Sequence, residues 1–556
     1  MLLNLTVNEK SFGPKHLYAG LSLSLVDGEK AGVIGRNGSG KSTMLGIINQ
    51  TDKDFDGELK LKKGVLVASS RQEHTEVQNQ KVIEYILNDT PDYAKLKGLI
   101  EGFAEIENPK NHQIQNYSDA LSNFGEKGFY ELEGKIMEDL KRLGISNAMA
   151  EAPLAQLSGG QKRLVEVIKV ANSGAHIMLL DEPTNHMDYH AKLKFIDWLK
   201  STNSAVVVVT HDRDVLEVVN RIIEIKDGKA LNFPGNYQAY LKQNAVKTSS
   251  AANEYEIIQR KIVKLKDDII RFKRLKEKAR DPDTIQRFKS LQLKAEKEAQ
   301  QLEAIPKPTM WVDKESKDLH LKKSQLDKYE KYKASNIKLK VNADENNVGN
   351  SALIKVDDLS LGYKVGDDIK ILFEKLKFSI GPGERVNLKG RNGAGKTTLV
   401  NLILDLQNNI KPKPVILEGL VELNNKLRIG YYQQEIEESL LSLSLSEAIE
   451  ELYKSMGMPI TEQQIKGILK QYLFDPQEDF DKPVVKLSGG QKARLQIIKM
   501  LANKPNLLIL DEPTNHLDLP SIEELEEALL KFNGALLYIS HDQFFCNKMG
   551  GEVVKI

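Results

Sequence analysis

The apolar positions of this chain follow two kinds of pattern. From Leu3 they alternate with polar residues, and at Ala31–Ile34, Ile177–Leu180 and Leu507–Leu510 they close into short continuous runs. Alternation predicts strands with one wet face, and continuous runs predict strands covered on both faces. After Gly40 the spacing changes: Met44, Leu45, Ile47 and Ile48 mark one side of a helix. Mid-chain, only helical spacing remains. Tyr255, Ile258, Ile262, Leu265, Ile269, Phe272 and Leu275 recur at three- and four-residue steps, followed by Phe288, Leu291, Ala295, Ala299 and Leu302. Between the two series lies Arg280-Asp281-Pro282-Asp283, where proline disfavours helix at the residue before it. The pattern predicts two helices facing each other across a short turn, a hairpin with its tip at 278–284.

A chain of 556 residues exceeds one hydrophobic core and predicts several domains. The net charge of +1 gives no global attraction to nucleic acid, so any such contact must come from a local patch. One candidate patch stands out: Arg271, Lys273, Arg274, Lys276, Lys278 and Arg280 cluster near the hairpin tip, opposed only by Glu277. Over 243–350 the balance is milder, 25 basic against 17 acidic residues, so placement rather than total charge suggests phosphate contact. On these residues alone, a solvated coiled coil is an equal reading. The single cysteine, Cys546, excludes an intramolecular disulfide framework and a cysteine zinc cluster. No run approaches eighteen apolar residues, which predicts no membrane span. With no basic-then-apolar start after Met1, the expected compartment is the cytoplasm.

Two stretches carry recognisable chemistry. Gly35-Arg36-Asn37-Gly38-Ser39-Gly40-Lys41-Ser42-Thr43 follows a strand and opens a helix, the setting a phosphate-binding loop needs. Its glycines let backbone N–H groups converge on phosphate oxygens, the lysine neutralises charge, and the hydroxyl reaches Mg²⁺. The pattern returns as Gly390-Arg391-Asn392-Gly393-Ala394-Gly395-Lys396-Thr397-Thr398. Two copies in the same context exclude chance. Further on, Leu157-Ser158-Gly159-Gly160-Gln161 returns as Leu487-Ser488-Gly489-Gly490-Gln491. Asp181-Glu182-Pro183-Thr184-Asn185-His186-Met187-Asp188 returns from Asp511 to Asp518, and Thr210-His211-Asp212 as Ser540-His541-Asp542.

These repeated motifs resemble the nucleotide-binding domain of ATP-binding cassette proteins. Two cassettes, the Pro-Thr-Asn-His wording after each glutamate and the missing membrane span resemble the ABC-F family in particular. The resemblance implies an α/β fold: two ABC-type P-loop ATPase cassettes, at 1–242 and 351–556, joined by a long α-helical hairpin linker at 243–350. It implies ATP and Mg²⁺ as ligands and ATP hydrolysis as the activity. Glu182 and Glu512 would polarise the attacking water, and His211 and His541 would hold it against the terminal phosphate. Asp181 and Asp511 would hold Mg²⁺ with Ser42, Thr397 and the glutamines Gln72 and Gln434. Phe12 and Tyr363 lie where an aromatic ring stacks on adenine. Each signature loop would complete the other cassette's site: Ser488 and Gly490 with Lys41, and Ser158 and Gly160 with Lys396. The implied unit is a monomer with intramolecular cassette pairing.

Offsets between the copies locate the unmatched pieces. The signature, acidic strand and histidine are each 330 residues from their counterparts, whereas Gln72 and Gln434 are 362 apart. The first copy therefore holds 32 extra residues before its signature, which we place at 89–126 as a short helical arm. The end of the second copy maps to Lys226, so the linker has no counterpart. In ABC-F proteins an arm and linker of this kind reach the ribosome at its exit site, the linker toward peptidyl-tRNA. The implied partners are thus ribosomal RNA of the 23S type and tRNA, for a translation factor or an antibiotic-resistance ribosome-protection factor. The rival classes are a DNA-associated tandem-cassette ATPase, expected to carry a coiled coil after the second cassette, and a transporter ATPase subunit, expected to lack the basic hairpin. One departure from the family pattern is internal: Arg213 follows the first histidine–aspartate pair, but Gln543 follows the second.

Overall fold

The computed structural model describes all residues except 13–14, 72–76, 104–105, 107–108, 186, 304–350, 366–367, 434–435, 473, 488 and 516. The chain divides into two compact units: one holds Met1–Tyr237 with Ile337–Ile556, and the other is Gln238–Asn336.

Both cassettes are built on one plan. In the first, β1 (Leu3–Phe12), β2 (Lys15–Leu25) and β4 (Asp56–Leu61) form an antiparallel sheet ordered β2-β1-β4. Leu3, Leu5 and Val7 point into the core while Asn4 and Thr6 are less covered, the alternation expected of a half-wet sheet. The second sheet runs β5 (Val67–Ser69), β6 (Ile177–Asp181), β7 (Ala205–Val209), β3 (Lys30–Gly35), β8 (Arg221–Lys226) and β9 (Lys229–Pro234). Its first five strands are parallel, and β9 returns antiparallel to β8. β6 and β7 are buried at every position, as their unbroken apolar runs require.

The second cassette repeats this with β10 (Ile354–Val365), β11 (Asp368–Ile380) and β13 (Val415–Leu423) in the small sheet, ordered β11-β10-β13. Its parallel sheet takes β14 (Ile429–Tyr432), β15 (Leu507–Asp511), β16 (Ala535–Ile539), β12 (Arg385–Lys389) and β17 (Glu552–Lys555) in that order. The 330-residue offset recurs in coordinates: β6 matches β15, β7 matches β16, and helix Gly159–Asn172 matches Gly489–Ala502. In both copies the strand carrying the phosphate loop lies inside the sheet, flanked by parallel neighbours on both sides, and the loop emerges at the carboxyl edge, where open parallel sheets bind ligands. The expected arm contains two helices, Tyr93–Phe103 and Asn111–Glu126, joined by stacked Phe103 and Tyr117 with centroids 4.2 Å apart.

The described part of the second unit is a helical hairpin. Helix Tyr237–Lys278 spans 42 residues and passes through 242 without a break, so no change of secondary structure marks the boundary expected there. Helix Pro282–Glu303 follows, its first turn closed by Asp281, which accepts from Thr284 N at 2.9 Å and Thr284 Oγ1 at 2.6 Å. Ile262, Ala295 and Ala299 are buried between the helices, and Lys261–Glu298 and Lys266–Glu303 pair across them at 2.6 and 2.7 Å. The expected seam fails at Leu291, which is exposed. Gln292 turns inward instead and accepts from Lys276 Nζ at 3.1 Å, which keeps the series Phe288, Gln292, Ala295, Ala299 on one helical face. The later linker, 304–350, lies outside the described residues. Among the described residues no helix is long and apolar enough to cross a membrane.

Candidate active site

Each phosphate loop is built by the same backbone device. Gly40 (φ 99°) and Gly395 (φ 100°) sit in the left-handed region immediately before helices Lys41–Ile48 and Lys396–Gln407. There a side chain would be strained. At Gly40 it would also meet Tyr18, since a Cβ there would lie 2.5 Å from the hydroxyl that donates to Gly40 O. The amides of Lys41, Ser42, Lys396 and Thr397 lie in first helical turns, whose N–H groups have no intrahelical acceptor and therefore suit an anion. The lysines are poised beneath. Lys41 Nζ donates to Gly35 O at 2.8 Å and Arg36 O at 3.2 Å, and Lys396 Nζ to Gly390 O at 2.9 Å and Arg391 O at 3.0 Å. Burial lowers both lysine pKa values, although the carboxylates nearby oppose it.

The acidic strand ends beside each loop. Thr397 Oγ1 donates to Asp511 Oδ2 at 2.7 Å, which brings together the hydroxyl and carboxylate that the sequence assigns to a metal. Among the described residues no three His, Cys, Asp or Glu side chains gather for a metal ion. The hydroxyl and carboxylate oxygens of Thr397 and Asp511 are the donor type that Mg²⁺ takes, one or two from protein with the rest of its shell from phosphate and water. Burial raises the Asp511 carboxyl, against Thr397 and Lys396. Ser42 occupies the position corresponding to Thr397, in the first turn of Lys41–Ile48, and Asp181 ends β6 as Asp511 ends β15.

Glu182 and Glu512 follow these aspartates with φ of 46° and 47°, a costly region for a side-chain-bearing residue. The turn is pinned by Glu182 N donating to Val209 O at 2.8 Å and Glu512 N to Ile539 O at 2.9 Å. It aims each carboxylate at the histidine just after the next strand: Glu182 Oε1–His211 Nε2 is 3.3 Å, and Glu512 Oε1–His541 Nε2 is 3.2 Å. Burial pushes the glutamates up, to about 8 at Glu182 and about 7 at Glu512. Burial, then the neighbouring P-loop lysine, pushes the histidines down, to about 3 at His211 and about 4 at His541. Both His211 ring nitrogens, Glu512 Oε1 and Ser39 Oγ are buried without a hydrogen-bond partner, the condition of a polar site shaped for a ligand.

A cavity of about 440 Å³ opens at the second loop, lined by Gly393, Gly395, Lys396, Thr397, Thr398, Asp511, Glu512 and His541, with Met187 from the first cassette. Tyr363 borders it, its hydroxyl donating to Thr398 Oγ1 at 3.3 Å, where a ring can face a base. Phe12 ends β1 with 55% of its surface exposed and the Lys10 ammonium 4.9 Å from its ring centre.

The cassettes meet at both loops. Asn37 N donates to Asp518 Oδ2 at 3.0 Å, and Asn392 N to Asp188 Oδ2 at 3.5 Å. The other oxygen of each aspartate caps its own helix, at Ser521 N (3.1 Å) and Ala191 N (2.8 Å). The signature residues do other work in this state. Ser158 and Gln161 form a reciprocal capping box at the start of Gly159–Asn172, at 3.3 and 2.9 Å, and Gln491 Nε2 donates to Asp479. Gly489 and Gly490 begin the matching helix. Gln72, Gln434 and Ser488 lie outside the described residues.

Sequence reasoning passed over Asp188 and Asp518 as site residues. It also missed a polar tether in each cassette between the stretch before the expected glutamine and the signature helix: Arg71 N donates to Glu166 Oε2 at 2.7 Å, and Lys499 Nζ to Gln433 Oε1 at 2.8 Å. Buried charge at Glu166 and Lys169, on an otherwise apolar helix face, was the available signal.

On the hairpin, Arg271, Lys273, Arg274, Lys278 and Arg280 are exposed, while Lys276 is turned toward Gln292.

Comparison with known proteins accords with this geometry. The family model described as ABC transporter matches residues 18–185 and 373–515. The ATP-binding protein YdiF of Bacillus subtilis is 31% identical over 100% of this chain and 80% of its own length. The ATP-binding protein YheS of Escherichia coli is 29% identical over 96% of this chain and 75% of its length. ABC transporter F family member 5 of Arabidopsis thaliana is 28% identical over 95% of this chain and 71% of its length. Among solved structures, the archaeal ribosome recycling factor aABCE1, crystallised with the ribosomal stalk protein aP1, aligns over 99% of this chain and 87% of its own. The TM-score is 0.57 at 16% identity, a likeness of fold.

Proposed function

Because the chain belongs to the ABC transporter family of ATP-binding cassettes, as a tandem-cassette ATPase of the ABC-F type, we propose that it uses ATP-driven pairing of its cassettes to act on the ribosome. The carrying observation is that Asn37 in one phosphate loop is held by Asp518 of the other cassette, and Asn392 by Asp188. A nucleotide on either loop is thereby bound against both halves of the chain.

In this reading Glu182 and Glu512 orient the attacking water, and His211 and His541, neutral by burial and 3.3 and 3.2 Å from those carboxylates, face the terminal phosphate. Mg²⁺, held by Thr397 and Asp511 and by Ser42 and Asp181, would offset charge on the phosphates. Lys41 and Lys396 exchange their carbonyl partners for phosphate oxygens. Phe12 and Tyr363 take the adenine side of each site.

The ribosomal part rests on the linker and the family. Five exposed cations near the hairpin tip suit a phosphate backbone read without sequence preference. A ribosome recycling factor shares the tandem fold. The chain then binds at the exit site with its cassettes closed on ATP, carries the hairpin toward the peptidyl-tRNA, and leaves after hydrolysis, as a cytoplasmic monomer.

Glu182→Gln combined with Glu512→Gln tests this. The double variant should bind ATP, fail to turn it over and co-sediment with ribosomes only when ATP is present. Sedimentation free of ribosomes with ATP bound overturns the ribosomal reading. Susceptibility of cells to ribosome-directed antibiotics, with and without the gene, then separates a protection factor from a translation factor.

A further inference from the structure

The symmetry of the repeat is broken inside the interface between the cassettes. Lys192, on helix Tyr189–Ser201, is only 3% exposed and has no equivalent in the second copy, where the 330-residue offset places buried Ile522. Its ammonium lies 2.6 Å from Asp214 Oδ2, 3.3 Å from Asp212 Oδ2 and 2.9 Å from the carbonyl oxygen of His541 in the other cassette. Burial works against the charge, but the two aspartates outweigh it and hold the pKa above its ordinary value, so the ammonium is a permanent cation. Asp214 is likewise unmatched, since Phe544 takes its place.

These contacts lie between the two hydrolytic pairs. Asp212 directly follows His211, which faces Glu182 at 3.3 Å; the carbonyl that Lys192 binds belongs to His541, which faces Glu512 at 3.2 Å. His541 N also donates to Glu512 Oε2 at 3.3 Å. Lys192 thus touches both histidine loops at once, and a cavity of about 220 Å³ with both glutamates on its wall lies beside it. A shift of either loop by a fraction of an ångström must lengthen a buried charge-assisted hydrogen bond at Lys192 or drag the other loop along.

We propose that Lys192 is a positioning residue that couples the two ATP sites, so that the state of Glu182–His211 governs turnover at Glu512–His541 and the reverse. The inference rests on the assignment of hydrolysis to the two glutamates, and goes beyond it by making the sites interdependent through one side chain. Because Lys192 occurs in one copy only, the coupling is built into a heterologous contact, with Asp212 and Asp214 on one side and a backbone carbonyl on the other.

The test is steady-state ATP turnover by the full chain carrying Glu182→Gln, Glu512→Gln or both, each with Lys192, Lys192→Ile (the residue type of the other copy) and Lys192→Arg. With Lys192, either single glutamine should cut turnover at least about fivefold, as coupled sites do. Two independent sites would lose only about half. With Lys192→Ile each single loss should fall to about twofold, the change should lie in kcat rather than KM, and Lys192→Arg should restore the coupling. Equal single-variant losses in the Lys192 and Lys192→Ile backgrounds overturn the inference, as does a twofold loss with Lys192 present. Retained turnover in the double glutamine variant instead refutes the catalytic assignment of the glutamates. Should the isoleucine variant not fold, Lys192→Met, which keeps the unbranched stem and removes only the ammonium, gives the same comparison.

Discussion

Asp518 holds two amides of different cassettes at once, Ser521 N of its own helix at 3.1 Å and Asn37 N of the opposite phosphate loop at 3.0 Å. Asp518→Ala should therefore weaken nucleotide binding at the Lys41 site. A lost hydrogen bond of about 1 kcal/mol corresponds to about fivefold in affinity. Asp188→Ala, whose cross-cassette contact is 3.5 Å, should cost the Lys396 site less. Titration with a fluorescent ATP analogue, in backgrounds carrying Lys396→Ala or Lys41→Ala to silence the other site, checks both.

The histidines are expected to work as neutral groups. With burial and the P-loop lysines holding them at about 3 and 4, neither protonates near neutrality. His211→Ala and His541→Ala should lower kcat by about 10²–10³-fold at their sites, the range for loss of a preorganised polar contact to the transition state, with little change in ATP affinity. The kcat profile between pH 6 and 8 should show no inflection that disappears in either variant. Such an inflection would mean that an imidazolium takes part.

Arg213 is a second buried cation at the interface, paired with Glu526 and, at 3.0 Å, with Asp542 Oδ2, both from the second cassette. Lys548 supports Glu526 at 3.0 Å. Arg213→Ala leaves buried carboxylates short of a partner and should destabilise the chain by about 3–5 kcal/mol. Arg213→Met with Glu526→Leu should recover most of that loss, read as thermal midpoint. The pH dependence has a definite sign. Burial would raise the Asp542 carboxyl, but Arg213 and then Lys192 outweigh it and hold the pKa below the ordinary value. The stabilisation is complete above the unfolded pKa of about 3.9 and is lost as pH falls through the lower folded value. Removing Arg213 should move the acid-unfolding midpoint upward.

On the hairpin, reversing Arg271, Lys273 and Arg274 to glutamate should weaken ribosome co-sedimentation and flatten its dependence on salt. Each phosphate contact removed should lower the log–log salt slope by about one. Basal ATP turnover should be unaffected. An unchanged salt slope would place the RNA contacts elsewhere.

Much of the site was legible in the sequence. The phosphate loops announce themselves because glycine is required where φ is positive, as at Gly40 and Gly395, and few other sequences serve. β6 and β15 are plain because strands covered on both faces need unbroken apolar runs. Less was legible at the interface. Asp188 and Asp518 cap helices in their own cassettes, and nothing local in the sequence tells that their second oxygens face a loop in the other half of the chain. Lys192 looks like one more lysine on a mixed helix until it is set against Ile522. Within the hairpin, Leu291 and Gln292 exchanged roles because one polar contact, to Lys276, outweighed burial of an edge leucine.

The divided carboxylates at the interface also carry a kinetic signature. Asp188, Asp518 and Asp542 each cap a helix with Oδ1, at Ala191, Ser521 and Phe545, and reach the opposite cassette with Oδ2. Separating the cassettes removes the partner that fixes each carboxylate's rotamer, and the capped amide loses its shelter from solvent. Deuterium uptake at those three amides would then act as a clock for cassette separation, one that runs without any label placed in the nucleotide sites.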